Sequence, residues 1–252
     1  EGVETIDTEE LDQFKLSTKN RNTLIVSLGG DGTALKAMKM GFEHNQDVLP
    51  IGSGRVGYLV SKIENFSSIV DEYIEAKRIN RTVRNSMEDI YTKKRPIIQN
   101  QDYSSTVFKA FNEVVIIKNS PTRLLDLVIE TYNQKIKLRA DGIIISTSLG
   151  STAYNYSAGG PIVHNDIDSI VVTPISPFSK FPRSIVLSEN SKLKVTIPKN
   201  QNYSIQFDGV VEVEDINKDK ISYEYELSKG FVNLLGHDNN PKIDNFLNQI
   251  LR

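Results

Sequence analysis

The sequence predicts an α/β domain on a parallel sheet, followed by a β-rich, largely antiparallel domain of sandwich type. Three observations carry this prediction. Strand-like and helix-like patterns alternate over the first third of the chain, which is the grammar of a parallel sheet covered by helices. From about Arg81 strand-like segments follow one another with little between them. Asp208-Gly209, set between Phe207 and Val210, reads as a hairpin turn. The boundaries drawn from these patterns are an α/β domain over 1–80, a β-rich domain over 81–237, and a terminal helix over 238–252 that returns to cover the first domain.

The apolar run Leu24 to Leu28 is the first clear strand, and Leu35, Met38 and Phe42 give the stretch Ala34 to Phe42 one apolar helical face. A second strand, Val48 to Ile51, leads into the glycine-rich stretch at residues 52–57. Ile63, Phe66, Val70, Tyr73 and Ile74 then recur at helical spacing, with Ser61 placed to cap that helix. The β-rich part shows strands at Val114 to Lys118, Leu124 to Tyr132, Ile136 to Leu138, Ile143 to Thr147, Ile170 to Thr173, Leu193 to Ile197, Ile205 to Phe207 and Ile221 to Leu227. Period-two alternation is clearest in Leu125, Leu127, Ile129 and in Leu193, Val195, Ile197. At the end, Pro241 suits a first helical turn, and Ile243, Phe246, Leu247, Ile250 and Leu251 form one stripe. The opening segment EGVETIDTEELDQF contains no apolar run fit for a first strand.

At 252 residues with a 38% hydrophobic share the chain is long enough to bury sizeable cores. A net charge of −2 and the lack of a long uninterrupted apolar run argue against a polyanion-binding chain and against a membrane span. Small-molecule partners are expected, with no nucleic acid and no membrane. No cysteine is present, and His44, His164 and His237 lie far apart, which leaves little for a metal-cluster or thiol-nucleophile reading. The chain opens at Glu1 without methionine or a signal pattern, so a start further upstream is expected, with the cytoplasm as default location.

The chemistry concentrates at SLGGDGTALKAM, residues 27–38. Gly29, Gly30 and Gly32 stand where a strand ends and a helix begins, and unpaired backbone N–H groups there hold phosphate. The stretch lacks the Lys-Ser/Thr ending of the P-loop, and Leu35 stands where a dinucleotide fingerprint needs its last glycine. An aspartate beside bound phosphates is repelled by them, so Asp31 either holds a metal ion or takes a proton from an attacking hydroxyl. Both roles point to phosphoryl transfer. The plainer alternative makes Asp31-Gly32 a turn and Thr33 a helix N-cap.

Taken together, the motifs resemble those of the NAD kinase family. The family's glycine-rich loop reads GGDGT, as residues 29–33 do here. FNEVV, with Asn112 and Glu113, is similar to its Asn-Glu pair, and RADGIIISTSLGSTAYNYSAGGPIV over residues 139–163 is similar to its Asp-Gly strand with the following Ser-Thr-Ala-Tyr and Ser-Ala-Gly-Gly runs. IGSGRVGYL, the stretch around Arg183 and FDG at 207–209 extend the resemblance over nearly the whole chain from Thr23. What it implies is a two-domain fold of the NAD kinase/diacylglycerol kinase type and ATP-dependent phosphorylation of the adenosine-ribose 2′-hydroxyl of NAD to NADP. A divalent metal such as magnesium and a homodimeric or homotetrameric assembly are implied with it. Asp31 is then the general base, and Gly29, Gly30, Gly32 and Thr33 form the phosphate loop. Asn112 and Glu113 contact the dinucleotide, while Asp141, Thr152, Ala153, Tyr154 and Ser157 line its nicotinamide-riboside and adenine ends. Asp208 matches a further pocket position, and Arg139 and Arg183 are offered to donor phosphates, although a structural ion pair accounts for either arginine taken singly. Lys36 has the default of a solvated helix face.

The chain departs from the family pattern at Gly52, where the family often carries Asn or another polar residue, at Ser148-Leu149 in place of Pro-Thr, and at Phe178 in place of His. Leu149 removes a hydroxyl beside the substrate run, which touches NAD against NADH preference. Two rivals follow from the same residues. A lipid kinase of the diacylglycerol or sphingosine type shares the loop but needs a broad apolar mouth, and a non-catalytic dinucleotide sensor has no use for Asp31 beside phosphates.

Overall fold

Leu24–Leu28 (β1) and Asp47–Gly52 (β2) pair in parallel, Leu24 opposite Asp47 and Leu28 opposite Ile51, because the connection between them is a helix, Asp31–His44 (α1). The structure is a computed structural model and describes residues 23–52, 57–78, 91–100, 108–164, 166–178, 182–215 and 221–236. The terminal helix expected over 238–252 and the opening segment lie outside these residues. Helix α1 starts three residues earlier than its apolar pattern suggests and buries Ala34, Ala37, Met38 and Gly41. Gly41 is the point of closest approach, since a Cβ there would sit 2.9 Å from Val232 Cγ2 and 3.0 Å from the Gln46 carbonyl. Asn45 ends the helix in the left-handed conformation, its N–H donating to the Gly41 carbonyl.

Ser61 does not cap a helix. It lies in a two-residue strand, Ser61–Lys62 (β3), parallel to β2, and a 3-10 turn at Ile63–Asn65 precedes Phe66–Arg78 (α2). Of the stripe read for this helix, Tyr73 is buried, together with Ile69, while Ile63, Phe66 and Ile74 are exposed. Lys77 on the outer side bridges Asp47 at 3.0 Å. Two further strands, Tyr91–Lys94 (β4) and Val232–Leu235 (β17), complete the sheet in the order β1-β2-β17-β4. β17 runs parallel to β2 and antiparallel to β4. Leu49, Ile51, Ile69, Tyr73 and Leu235 form the core beneath.

By packing, the chain divides into one unit of residues 1–94 with 230–252, and a second of residues 95–229. This differs from the boundaries at 80/81 and 237/238 because β4 and β17, which carry no clear pattern in sequence, pair within the first sheet.

The second unit is two six-stranded antiparallel sheets. One has the order β12-β11-β10-β7-β14-β15, made of Ile185–Ser188 (β12), Ser169–Ile175 (β11), Gly142–Thr147 (β10), Glu113–Lys118 (β7), Tyr203–Phe207 (β14) and Val210–Asp215 (β15). The other has the order β6-β5-β16-β13-β8-β9, made of Phe108–Ala110 (β6), Ile97–Asn100 (β5), Ile221–Leu227 (β16), Leu193–Ile197 (β13), Leu125–Thr131 (β8) and Gln134–Ala140 (β9). Ile116, Ile143, Ile145, Val172 and Ile205 of the first sheet meet Leu127, Ile129, Val195 and Tyr225 of the second in one continuous core. Each such side chain contributes about 1.5–3 kcal/mol relative to exposure.

The Asp208-Gly209 hairpin forms as expected between β14 and β15, both residues at positive φ. A second two-residue turn falls at Tyr132-Asn133, also both at positive φ, where the sequence reading ran a strand through Tyr132. The Tyr132 hydroxyl is tied there to Ser188 Oγ and Ser191 Oγ at 2.8 and 2.5 Å.

Candidate active site

In the first unit the GGDGT loop leaves the end of β1 and becomes the first turn of α1. Gly29 N–H donates to the Ile51 carbonyl at 2.9 Å, and a Cβ on Gly29 would lie 2.6 Å from Thr33 Oγ1, so the turn folds too tightly for a side chain. Gly30 is the N-cap of α1 and makes no side-chain cap; Thr33 stands inside the first turn, which corrects its reading as a cap. Around Gly30 and Gly32 the situation is the reverse of Gly29: a Cβ at either would meet no heavy atom within 4 Å. Packing among the described residues thus gives no reason for these two glycines. The space beside them adjoins a helix N-terminus without a side-chain cap, an arrangement suited to an anion.

Asp31 has partners that its own neighbourhood in sequence does not reveal. Its Oδ2 accepts the N–H of Tyr58 and its Oδ1 that of Leu59, each at 2.8 Å. Each carboxylate oxygen retains a further lone pair, so acceptor capacity remains. Lys36 lies on the exposed side of α1.

In the second unit the residues gather at one end of β7. Glu113 begins that strand and Asn112 immediately precedes it, and the Asp208 carboxylate in the adjacent hairpin accepts the backbone N–H groups of Phe111, Asn112 and Glu113 at 3.0, 2.7 and 3.3 Å. Asp208 N–H returns a bond to the Glu113 carbonyl at 3.0 Å. Asp208 therefore fixes the Asn-Glu segment as well as turning the chain. The Asn112 carbonyl accepts Thr147 N–H at 2.9 Å and presses on Gly150, whose Cβ position is filled by that carbonyl group.

Gly150 belongs to the 3-10 turn Leu149–Thr152, which leads into the short helix Tyr154–Ser157 (α3). Neither element was read from sequence. Asn155, fully buried, holds the segment: its Nδ2 donates to the carbonyls of Ser151 and Pro161 at 2.9 and 3.0 Å, and its Oδ1 accepts the Thr173 hydroxyl at 2.7 Å. Gly160 is required because its Cβ position coincides with the Asn155 amide group. With Asn155 turned inward, Tyr154 and Ser157 are left exposed on the same segment as Thr152 and Ala153.

Glu113 is 7% exposed, and its Oε2 has no hydrogen-bond partner among the described residues. Burial first, and the neighbouring Asp208 carboxylate second, push its carboxyl up to about 8, against a hydrogen bond from Tyr154 N–H that lowers it. At neutral pH Glu113 therefore holds a proton and offers both a donor and an acceptor.

Asn112, Glu113, Tyr154 and Asp208 are thus brought together. Asp141 and Arg139 are not. They precede the far end of β10, whose near end pairs Ser146 with Glu113, a separation on the order of 16 Å along the strand. Asp141 is bridged to Lys118 at 2.5 Å. Arg139 faces Asp126 at 3.7 Å and lines an open cavity of about 870 Å³ with Arg123, Phe178, Lys199 and Gln201. Arg183 is exposed, its carbonyl accepting Ser184 Oγ at 2.7 Å.

Family models of the ATP-NAD kinase N-terminal and C-terminal domains match residues 2–79 and 111–226. The NAD kinase of Clostridium tetani is 36% identical over 209 residues, covering 81% of this chain and 69% of that protein. That of Caldicellulosiruptor saccharolyticus is 32% identical over 201 residues, covering 77% and 71%. The chain belongs to the NAD kinase family. A bifunctional NADP phosphatase/NAD kinase of Methanocaldococcus jannaschii is 34% identical over 215 residues, and there the chain spans only 34% of the relative's length. Among solved structures, an Archaeoglobus fulgidus NAD kinase in complex with ATP aligns with a TM-score of 0.67 at 24% identity, covering 96% of this chain and 85% of that one. A yeast NADH kinase complexed with NADH aligns at 0.75 with 23% identity, covering 96% and 75%. Both share the NAD kinase fold, an α/β part with a parallel sheet and a β-rich part with antiparallel sheets, as the sequence led one to expect.

Proposed function

We propose that this chain transfers the γ-phosphoryl group of ATP to the 2′-hydroxyl of the adenosine ribose of NAD, giving NADP and ADP. The observation that supports this most is the family match over both parts of the chain, one carrying the GGDGT loop and the other the Asn-Glu and Ser-Thr-Ala-Tyr segments. The lipid-kinase and sensor readings have no comparable support.

In this reading Asp31 accepts the proton of the 2′-hydroxyl as its oxygen bonds to the γ-phosphorus and the bond to ADP breaks. The N–H groups of Gly30, Gly32 and Thr33 receive the phosphates at the uncapped helix end, while Gly29, whose N–H is spent on the Ile51 carbonyl, shapes the turn that presents them. Asn112 and protonated Glu113 bond the ribose hydroxyls or a base edge, and Tyr154 supplies a face for stacking beside Thr152, Ala153 and Ser157. Asp208 acts through the backbone it fixes. Asp141, Arg139 and Arg183 bind more peripherally, consistent with their distance from Glu113 or their exposure. Among the described residues no three histidine or carboxylate side chains form a metal cage. A magnesium ion fits such a site as a companion of the ATP phosphates, since this ion is commonly held by substrate phosphates, waters and one or two carboxylates, and bound there it neutralises phosphate charge. The assembly is a homodimer or homotetramer located in the cytoplasm; light scattering after gel filtration checks the subunit number.

The test is NADP formation from NAD, ATP and magnesium, detected with an NADP-specific dehydrogenase, in the wild type and in Asp31→Asn. Turnover in the wild type and its loss in the variant are expected. A wild type that binds NAD and makes no NADP refutes the kinase reading.

A further inference from the structure

We infer that Gly57 is a positioning residue for Asp31, and that the turn Gly57-Tyr58-Leu59 is a clamp that sets where the carboxylate points. The inference rests on reading Asp31 as the base. Two observations carry it. Both oxygens of Asp31 are occupied by successive backbone N–H groups, Tyr58 on Oδ2 and Leu59 on Oδ1, each at 2.8 Å. A carboxylate held at both oxygens by adjacent amides has its plane and its remaining lone pairs fixed, which a single bond does not achieve. The second observation is the room made for it: the Cβ position of Gly57 is taken by Asp31 Oδ1, with Asp31 Cγ at 3.0 Å and Val60 Cγ2 also at 3.0 Å.

Gly57 is not in the left-handed region, so the backbone itself accepts an alanine there. Its glycine character is explained by contact, and the contact that matters is with the reacting carboxylate. Val60 provides the competing explanation, since its Cγ2 is wedged between the Cβ positions of Gly57 and Gly52, at 3.0 and 2.7 Å. An added methyl at 57 displaces either Asp31 or Val60, and the two outcomes separate a positioning role from a packing one.

The experiment compares wild type, Gly57→Ala, and Gly57→Ala with Val60→Ala by steady-state kinetics. Displacement of a reacting group by about 1 Å costs on the order of 100-fold in turnover. The expected result is that loss in kcat for Gly57→Ala, with KM for NAD and ATP changed less than about twofold, and no recovery when Val60 is also cut back. Recovery of kcat in the double variant, or an unchanged kcat in Gly57→Ala, overturns the inference.

Amide hydrogen exchange at Tyr58 and Leu59, in the wild type and in Asp31→Ala, decides the clamp without any turnover and without Gly57 variants. Exchange faster by about tenfold or more in Asp31→Ala is expected, and equal rates refute the clamp. If the wild type makes no NADP the kinase reading fails on its own assay, and the exchange rates still answer whether the turn holds Asp31.

Discussion

Glu113→Gln tests the buried carboxyl most directly, because glutamine reproduces the shape of the protonated side chain and cannot ionise. Glu113 is nearly inaccessible, one of its oxygens is without a partner among the described residues, and Asp208 stands beside it. Burial and that neighbouring charge raise its pKa from 4.5 to about 8. The sign follows from proton counting. Between these two values the native chain keeps a proton that the unfolded chain has released, so the stability contributed is complete below pH 4.5 and is lost as pH rises towards 8. The slope is about 1.4 kcal/mol per pH unit, and the full effect is on the order of several kcal/mol. Urea unfolding of both proteins between about pH 5 and about pH 8 measures it. The wild type is expected to lose stability relative to Glu113→Gln steadily across that range. A difference constant to within about 0.5 kcal/mol refutes the reasoning and means that Glu113 ionises in the usual carboxylate range.

Asp31→Asn is expected to lower kcat by about 10² to 10⁴. It also lowers the melting temperature, because one acceptor of the Tyr58 and Leu59 amides becomes an NH₂ group facing an N–H; calorimetry alongside the kinetics separates the two effects. Asp208→Asn removes the charge beside Glu113 and is expected to move the pH window of the unfolding experiment downward. Gly160→Ala puts a methyl onto the Asn155 amide and is expected to destabilise the chain by about 1–3 kcal/mol, read by urea unfolding. Thr173→Val leaves Asn155 Oδ1 without its donor and is expected to cost a similar amount, about 1–3 kcal/mol, in the same assay.

The central strands were legible because burial on both faces writes itself as unbroken apolar runs: Val114 to Ile117, Ile143 to Ile145 and Ile170 to Val172 needed nothing else. Strands nearer the edges were not. Tyr91–Lys94 carries two lysines, Ile185–Ser188 buries only Leu187, and Val210–Asp215 ends in acidic residues, so each resembles a loop when read alone. Tyr132 misled for a different reason, since a tyrosine favours strands and its place in a turn at positive φ is secured by two serines more than fifty residues away. For the candidate site, the residue types and their order pointed to the loop and the Asn-Glu pair. Missing were the partners: the amides of Tyr58 and Leu59 for Asp31, the carboxylate of Asp208 for the amides of 111–113, and the inward turn of Asn155 that leaves Tyr154 and Ser157 exposed. The first two are contacts with groups distant in sequence and the third joins local carbonyls to Thr173 on another strand, and periodicity carries no trace of such contacts.

The place of β17 bears on how the chain is made. Residues 232–235 lie in the middle of the first sheet, between β2 and β4, while the strands on either side are translated long before them. The second unit is consequently an insertion within the first, and its two sheets can close while the first unit still lacks an interior strand. During synthesis the sandwich has all its strands available before the earlier-encoded α/β part receives β17. A stop codon just after Lys229 would remove the strand that joins β2 to β4 and leave β4 without a sheet partner, so the damage would fall on the unit that is encoded first.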